Sequence, residues 1–336
     1  MKTTQELKEL LYKNKTVADQ QPDAIAEANA FCEGYKAFLN AAKTEREAAA
    51  YSEQLLKQAG YKPFVPGMTL NAGDKVYLIN RSKCVLAATI GERSMAEGFH
   101  LNIAHIDSPR LDLRPVPLFE KDGLAYFRTH YYGGIKKYQW VTLPLALHGV
   151  IAKKDGTVVK VSVGDKPGDP VFGVSDLLIH LSGEQMEKKA AKVIEGENLD
   201  LIIGSIPAEA DEKDDVKEKV KANIMKILAK EYDIEEEDFL SAEIEVVPAG
   251  EARDYGFDRS MIMGYGHDDR VCAYPSFEAI AAMEKPEITS VCLLVDKEEI
   301  GSVGASGMQS RFFENTVAEV MNAAGTYSEL ALRRAL

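Results

Sequence analysis

The sequence feature that most constrains the fold is an apolar run, Ser290–Val295, which is followed directly by acidic residues and glycines. A run of this length and composition is typical of a buried β-strand. The strand would deliver two adjacent carboxylates, Glu298 and Glu299, into the glycine-containing loop 301–307. Neighbouring residues of a strand point to opposite faces, but a loop at its end can turn both toward one site. One carboxylate can then bind a cation while the other accepts a proton from water. A Glu-Glu pair on a solvated surface is the alternative.

Helices and strands alternate at both ends of the chain, which predicts an α/β fold. Residues 1–60 have apolar positions at helical spacing, a capping box from Thr44 to Glu47 and a helix stop at Gly60. Strands are predicted at residues 76–79, 84–90 and 99–106. A loop at 265–270, a helix at 271–283, the strand Ser290–Val295 and a helix at 311–323 complete the pattern.

The middle of the chain, residues 110–250, has a different sequence pattern from the two ends and is predicted to be an insertion into the α/β fold. Residues 150–152 and 158–161 flank Asp155 and Gly156, a strong signal for a two-residue hairpin turn. A charged amphipathic helix is predicted over residues 211–232, with acidic residues crowded into its first turn. Its apolar stripe favours core packing over a partner surface.

Composition limits the partners and the compartment of the protein. The 336 residues include 40 Lys and Arg against 53 Asp and Glu, a net charge of −13. Such a chain repels nucleic acid and anionic membranes, and no run of about 18 apolar residues is present to span a bilayer. The four cysteines lack C-x-x-C spacing, so neither a disulfide framework nor a thiolate zinc site is expected. Without a signal-peptide pattern, the sequence predicts a cytoplasmic protein.

Two further polar pairs lie at predicted element boundaries. His105 and Asp107 close the strand 99–106, and residues two apart share a strand face. A carboxylate beside a metal-binding histidine fixes its tautomer, although a satisfied polar pair is the alternative. Asp268 precedes the predicted helix 271–283, where its carboxylate can either project into a cleft toward cations or cap the helix.

Three runs, taken in order, resemble the co-catalytic metallo-aminopeptidases. They are AHIDSP (104–109), HDDRVCAY (267–274) and DKEEIG (296–301). The likeness is greatest to the aspartyl aminopeptidase family, with the glutamyl aminopeptidase family next. The segments GGI (133–135) and LLIHL (177–181) are also similar to that family, so the resemblance spans most of residues 20–336. It implies a three-layer α/β/α zinc-peptidase-like domain at 1–109 and 251–336, with a mostly-β insertion at 110–250.

The resemblance also implies a role for each candidate residue. His105 would bind a metal ion, Asp107 would orient that histidine, and Asp268 would bridge two divalent cations, with zinc expected. Glu299 would be a further ligand, and Glu298 would be the general base on the attacking water. The assignment fits the chemistry, because zinc lowers the pKa of water to about 7 and a base must carry the proton to the leaving amine.

The inserted block is expected to mediate assembly. The resemblance implies homo-oligomers formed through residues 110–250, with His180 assisting the active site of a neighbouring subunit. The alternative for His180 is a core histidine on a buried strand. The resemblance implies no role for the remaining histidines: His100, His130, His148 and His267. The family pattern continues beyond Leu336 with a further acidic ligand and a histidine ligand, so an incomplete metal set is expected.

The predicted function is a metallo-aminopeptidase that removes N-terminal residues from peptides. The resemblance implies a preference for an acidic N-terminal residue, and Lys136 and Lys137 are either its determinants or solvated surface. A non-catalytic assembly subunit, which keeps the scaffold but cannot hold both cations, is the rival hypothesis. A metal-dependent deacylase that acts on small acylated amino acids is a third.

Overall fold

The computed structural model describes residues 4–209 and 216–335, apart from the side chains of residues 5, 6 and 18. Its helices are α1 (Thr4–Glu9), α2 (Val17–Gln20), α3 (Ala24–Ala41), α4 (Glu45–Gln58), α5 (Gly183–Met186), α6 (Ala190–Val193), α7 (Lys219–Tyr232), α8 (His267–Ala281), α9 (Phe312–Ala323) and α10 (Glu329–Ala335). Its strands are β1 (Lys62–Pro63), β2 (Lys75–Asn80), β3 (Cys84–Thr89), β4 (His100–His105), β5 (Arg110–Lys121), β6 (Leu124–Tyr132), β7 (Leu145–Ala152), β8 (Val158–Val163), β9 (Leu201–Gly204), β10 (Ala242–Pro248), β11 (Arg253–Tyr255), β12 (Met261–Met263) and β13 (Ser290–Val295). None of the helices in this described part is long and apolar enough to cross a membrane.

Strands from both ends of the chain form the first sheet, in the order β1-β2-β3-β13-β4. The strand β13 is antiparallel to β3 on one side and parallel to β4 on the other. Every residue of β13 is buried, as expected for a central strand that is covered on both faces. The register pairs Val295 with His105, so β13 and β4 end at the same edge of the sheet. The segments that follow these two strands therefore start side by side.

Helices cover both faces of the first sheet. Leu294 of β13 belongs to a buried cluster with residues of α3, α4 and α8, whereas its neighbour Leu293 belongs to a cluster with residues of α9 and α10. This division follows from the alternation of side chains along a strand. The result is three layers, helices on either side of a sheet, and the predicted α/β fold class is confirmed.

A second sheet of six antiparallel strands is built from the middle of the chain, in the order β8-β7-β10-β5-β6-β9. The helix α7 packs against it, and side chains such as Leu111, Phe127 and Leu147 fill its core. The chain leaves the first sheet after β4 and returns to it through α8 and β13. The division into a catalytic domain at 1–109 and 251–336 and an inserted assembly domain at 110–250 stays a prediction.

Buried ion pairs hold the first turn of α4 against the second sheet. A capping box starts this helix as predicted: Thr44 Oγ1 accepts from the Glu47 N–H at 3.1 Å, and the Glu47 carboxylate accepts from the Thr44 N–H at 3.3 Å. Glu45 is thereby fixed with its carboxylate 3.5 Å from Arg110 of β5. Arg110 in turn lies 3.2 Å from Glu245 of β10. The two sheets are thus connected by charges that are removed from water.

Several predicted boundaries need correction. The hairpin of β7 and β8 forms, but Ala152 pairs with Val158, so the loop covers residues 153–157 instead of a two-residue turn. The side chain of Asp155 accepts a hydrogen bond from the Thr157 N–H inside this wider loop. The helix predicted at 211–232 begins at Lys219, and residues 211–215 lie outside the described residues. The helix predicted at 271–283 begins at His267, although Asp268 and Asp269 lack helical backbone angles.

Candidate metal centre

The candidate site lies at the edge of the first sheet where two parallel strands end. β4 ends at His105, and β13 ends beside it at Val295. The Ile106 N–H donates to the Val295 carbonyl at 2.8 Å, which extends the pairing one step beyond the strands. The start of α8 lies next to both ends and brings Asp268 to within hydrogen-bond distance of His105. Three segments that are far apart in sequence therefore meet at one place.

His105, Asp268 and Glu299 form a group that could hold a metal ion. Among the described residues it is the one group of three or more His, Cys, Asp or Glu side chains with this geometry. Their ligand atoms all lie within 4.8 Å of one another. His105 Nε2 is 3.2 Å from Asp268 Oδ1, close to the roughly 3.3 Å that separates two atoms bound to one tetrahedral zinc ion at about 2 Å. One imidazole and two carboxylates are donors that zinc accepts. The structure brings the predicted ligands together, and metal binding by them stays a prediction.

Asp107 is buried behind His105 and accepts hydrogen bonds from several directions. Its Oδ1 lies 3.3 Å from His105 Nδ1 and 3.2 Å from the Glu298 N–H nitrogen. Its Oδ2 accepts from the Tyr132 hydroxyl at 2.7 Å and from the Glu299 N–H at 3.2 Å. The backbone carbonyl of Asp107 is a second partner for His105 Nδ1, at 3.0 Å. One carboxylate thus connects the histidine to the turn that carries both glutamates.

The charges around His105 change its protonation. Burial lowers the pKa of His105, but the hydrogen bond and the negative charge of Asp107 outweigh it and raise the pKa to about 9. Burial raises the pKa of Asp107, yet hydrogen bonds from His105 and Tyr132 hold it below its usual value. Asp107 therefore favours the protonated imidazole, and a cation that binds Nε2 must displace the proton from that nitrogen.

Glu298 and Glu299 lie in the single 3-10 turn Glu298–Ile300 but have different surroundings. The side chain of Glu298 is 56% exposed, with its carboxylate 3.8 Å from His105 Nε2. Glu299 is half-buried, and burial raises its pKa above the usual value. Left-handed backbone at Lys297 and Gly301 begins and ends the turn. Glu299 thus belongs to the ligand group, and water can reach the carboxylate of Glu298. The individual roles of the two residues stay predictions.

Two buried charged residues that no sequence pattern singled out support the site. Asp296 accepts from Ser306 Oγ at 2.6 Å, which fixes the loop after β13. Arg270 donates to Ser108 Oγ at 2.7 Å, and Ser108 Oγ donates to the Asp268 carbonyl at 2.9 Å. The peptide bond between Asp268 and the next residue is cis. Asp296 lies in the run DKEEIG (296–301) and Arg270 in the run HDDRVCAY (267–274). Their position beside the candidate ligands was the sequence signal that could have indicated a role in the site.

His180 lies in the single 3-10 turn Ile179–Leu181 and is exposed. The alternative of a core histidine on a buried strand is therefore wrong. The physical reason is that its apolar neighbours are exposed as well: Leu178 and Leu181 are each 71% exposed. No strand forms at residues 177–181. The run lies on the surface of the part of the chain that contains the second sheet, residues 110–250, which is called the second-sheet block below. The predicted action of His180 on a neighbouring subunit stays a prediction.

A sheet covered by helices on both faces, with a histidine and carboxylates at the ends of its parallel strands, defines a class of α/β proteins with a candidate metal centre. The family model described as aminopeptidase I zinc metalloprotease (M18) matches residues 38–335. The chain therefore belongs to the M18 family of zinc metallo-aminopeptidases, which are hydrolases. The predicted membership of a metallo-aminopeptidase family is confirmed.

Individual relatives agree with this assignment. The chain is 56% identical over 333 residues to the probable M18 family aminopeptidase 1 of Clostridium acetobutylicum, covering 98% of this chain and 71% of the relative. It is similar to the crystal structure of an M18 family aminopeptidase from Thermotoga maritima, with a TM-score of 0.89 and 42% identity over 97% of this chain and 70% of that one. Aminopeptidase I from Clostridium acetobutylicum gives a TM-score of 0.85 and 52% identity, over 97% and 71% of the two chains.

Proposed function

We propose that this protein is a metallo-aminopeptidase in which His105, Asp268 and Glu299 hold zinc and Glu298 is the general base. The observation that carries the proposal is the meeting of the three ligand groups within 4.8 Å, with the Glu298 carboxylate 3.8 Å from His105. A bound zinc ion supplies Lewis acidity, which polarises a peptide carbonyl and makes water more acidic. Glu298 then accepts the proton of the attacking water and returns it to the leaving amine.

The exposure of the glutamates supports this division of labour. A general base has to meet water and substrate, and the side chain of Glu298 is 56% exposed. Glu299 is half-buried and is held through its N–H by Asp107, as a ligand that must not move requires. The side chain of Asp268 is 82% exposed, and its Oδ1 lies 3.2 Å from His105 Nε2. We propose that Asp268 would also help to hold a second divalent cation, so that the full centre would hold two.

The substrate preference is proposed from the resemblance to the aspartyl aminopeptidases. Lys136 and Lys137 follow Gly133, whose backbone lies against Glu299. An ammonium group there would attract an acidic N-terminal side chain. Lys136 is exposed and Lys137 is partly buried, so the two can reach a substrate from the surface. Peptides with N-terminal Asp or Glu are therefore the proposed substrates.

We propose that the chain forms homo-oligomers through the second-sheet block. The support is an apolar ridge, defined as residues 177–181 with Met186, in which the apolar side chains are between 54% and 71% exposed. Exposed apolar patches of this kind mark protein–protein interfaces. His180 lies within this ridge, so its ring would face the partner subunit. Sedimentation velocity tests the proposal: Leu178→Asp should dissociate the assembly, whereas Leu240→Asp, at an exposed residue outside the ridge, should not.

Zinc content per chain, measured together with hydrolysis of a panel of aminoacyl-p-nitroanilides, tests the proposed function. The panel compares N-terminal Glu and Asp with Leu, and it includes an N-acetylated amino acid. Zinc uptake with release of p-nitroaniline supports the aminopeptidase, and faster release from Glu and Asp supports the acidic preference. Cleavage of the acetylated substrate alone would indicate a deacylase instead.

Two further outcomes of this experiment would contradict the proposal. A chain that assembles but takes up no zinc would favour the non-catalytic assembly subunit. If the chain binds zinc but hydrolyses none of the panel, the proposed zinc ligands would stand, and the proposed catalytic activity would be wrong. Zinc content also separates one ion per chain from two, which tests the bridging role of Asp268.

A further inference from the structure

The end of β6 brings the second sheet into contact with the candidate metal centre. Tyr132, the last residue of β6, is 8% exposed and donates its hydroxyl to Asp107 Oδ2 at 2.7 Å. Two cations lie over its ring: the Arg110 guanidinium is 3.7 Å from the ring centroid, and Lys297 Nζ is 5.4 Å from it. The ring therefore has little freedom to move its hydroxyl away from Asp107.

The hydrogen bond from Tyr132 has a special place among the contacts of Asp107. The other donors to this carboxylate come from His105 and from the Glu298–Ile300 turn, that is, from the site itself. Tyr132 comes from a different sheet and makes the shortest of these contacts, at 2.7 Å. Asp107 contacts the imidazole of His105 and the N–H groups of both glutamates. Tyr132 is the partner that holds Asp107 in place from outside the site.

Gly133, the next residue along the chain, packs directly on a candidate ligand. Its backbone is left-handed (φ +71°), and a Cβ added there would lie 3.1 Å from Glu299 Cβ and 3.2 Å from Glu299 Oε2. Only glycine adopts this conformation at low cost and leaves that space open. At Gly134 an added Cβ would meet nothing within 4 Å. Glycine at 133 is therefore favoured both by the left-handed backbone and by the close approach to Glu299.

We propose that Tyr132 and Gly133 are positioning residues of the metal centre: the first fixes Asp107, and the second fixes the space that Glu299 occupies. The second-sheet block would then contribute to metal affinity without supplying a ligand. This inference rests on the proposed function, since it assumes that His105 and Glu299 bind the ion. It extends that function, because neither residue belongs to the ligand set or acts as the base.

Zinc affinity of the full chain, measured by competition with a chromophoric chelator, is the first readout, and the visible spectrum of the cobalt(II)-loaded protein is the second. Tyr132→Phe is expected to weaken zinc binding by about 10–100-fold, the effect of losing an outer partner of a metal ligand. It should also shift the cobalt spectrum, which a merely structural loss would not do. Tyr131→Phe is the matched control; this neighbour is 36% exposed and should stay within about twofold of the wild type.

A glycine series tests the second half of the inference. Gly133→Ala should weaken zinc binding because the new methyl group displaces Glu299. Gly123→Ala is the control for backbone strain: it lies at the tip of the same hairpin with φ +75°, and nothing lies within 4 Å of its added Cβ. Gly134→Ala is the control for position. Both controls should keep the zinc affinity and the cobalt spectrum of the wild type.

The outcomes separate this inference from the function on which it rests. Equal zinc affinity and identical cobalt spectra for Tyr132→Phe and Tyr131→Phe would overturn the positioning role, while the wild type still bound zinc and hydrolysed peptides. If Tyr132→Phe does not fold, the comparison of Gly133→Ala with Gly123→Ala decides, and equal affinities there overturn the inference. A wild-type chain that takes up no zinc overturns both proposals together.

Discussion

Two histidines in the described part of the chain each lie between two carboxylates, and one of them belongs to the group that could hold a metal ion. His105 lies between Asp107 and Asp268 at the end of β4. His148 on β7 lies between Glu47 of α4, at 3.1 Å from Nδ1, and Asp165, at 2.8 Å from Nε2. The chemical groups are the same, so the difference between the two clusters has to come from their surroundings.

The difference lies in the freedom of the second carboxylate. Both partners of His148 are mostly buried, with side chains 10% and 18% exposed, and each ring nitrogen has its own fixed partner. The second partner of His105 is Asp268, whose side chain is 82% exposed, with Glu298 nearby at 56%. The carboxylates on the Nε2 side of His105 are exposed, so a cation and water can reach them, whereas both ring nitrogens of His148 are closed by buried carboxylates that line a cavity of their own. The exposure of the partner carboxylates, more than residue type, separates the two histidines.

The largest effect is expected at Glu298, the proposed general base, which has no counterpart among the residues around His148. Glu298→Gln keeps the shape of the side chain but removes the base, so hydrolysis should fall by about 10²–10⁴-fold. Zinc content should not change, because Glu298 is not in the ligand group. The measurement is the rate of p-nitroaniline release with zinc content on the same samples. Glu319→Gln, at an exposed position on α9, is the control; a Glu298→Gln variant as active as this control would remove the base assignment.

Exchanging the two histidines for alanine should give opposite results. His105→Ala should lose zinc by more than the roughly 10–100-fold typical of outer partners, since a ligand itself is removed. His148→Ala should leave zinc binding unchanged but should destabilise the fold by about 3 kcal/mol, because two buried carboxylates lose their shared partner. Zinc competition and urea unfolding, both performed on both variants, measure the contrast. A loss of zinc from His148→Ala would mean that the two clusters are not distinct.

The His148 cluster should also make stability depend on pH. Burial lowers the pKa of His148, but its hydrogen bonds to Asp165 and Glu47 outweigh this and raise it. Burial raises the pKa of Glu47 and Asp165, yet the hydrogen bonds to His148 leave both below their usual values. A histidine with a raised pKa stabilises the fold below its unfolded pKa of about 6.5, and this stabilisation is lost as the pH rises through the folded value. The carboxylates contribute above their unfolded pKa values of about 4 and lose this contribution in acid.

The unfolding free energies of wild type and His148→Ala should therefore differ most between about pH 4.5 and 6.5. The difference should shrink as the pH rises above about 6.5 and through the raised pKa of His148. Urea unfolding of both proteins across this range provides the measurement. A difference that grew with pH would show that His148 is neutral in the folded protein and that the closed cluster is held by other contacts.

Some of this arrangement could be predicted from the sequence, because it is encoded in short runs. The buried strand β13 follows from the apolar run Ser290–Val295, and the start of α4 follows from the capping box at Thr44. The three candidate ligands could be singled out because each stands at the end of a strand or the start of a helix. Such positions depend on local patterns, and the family resemblance joined them in one site.

The supporting residues could not be found in this way, because their contacts join distant parts of the chain. Arg270 reaches Ser108 across 162 positions, and its burial becomes meaningful only when α8 lies beside the end of β4. Tyr132 looks like any strand residue until β6 is placed next to Asp107. His148 likewise matched no motif, since its partners come from α4 and the segment after β8. Tertiary placement creates these roles.

The smallest effect is expected at Lys160, the exposed arm of the His148 cluster. Its ammonium group lies 3.5 Å from Glu47 Oε1, but its side chain is 67% exposed. An ion pair in water contributes about 0.2–1 kcal/mol at most, so Lys160→Gln should lower the unfolding free energy by less than about 0.5 kcal/mol and lose even that in high salt. Urea unfolding at low and high ionic strength measures it. A loss as large as that of His148→Ala would show that solvent does not screen this cluster, and the contrast between a closed and an open histidine would then have to rest on geometry alone.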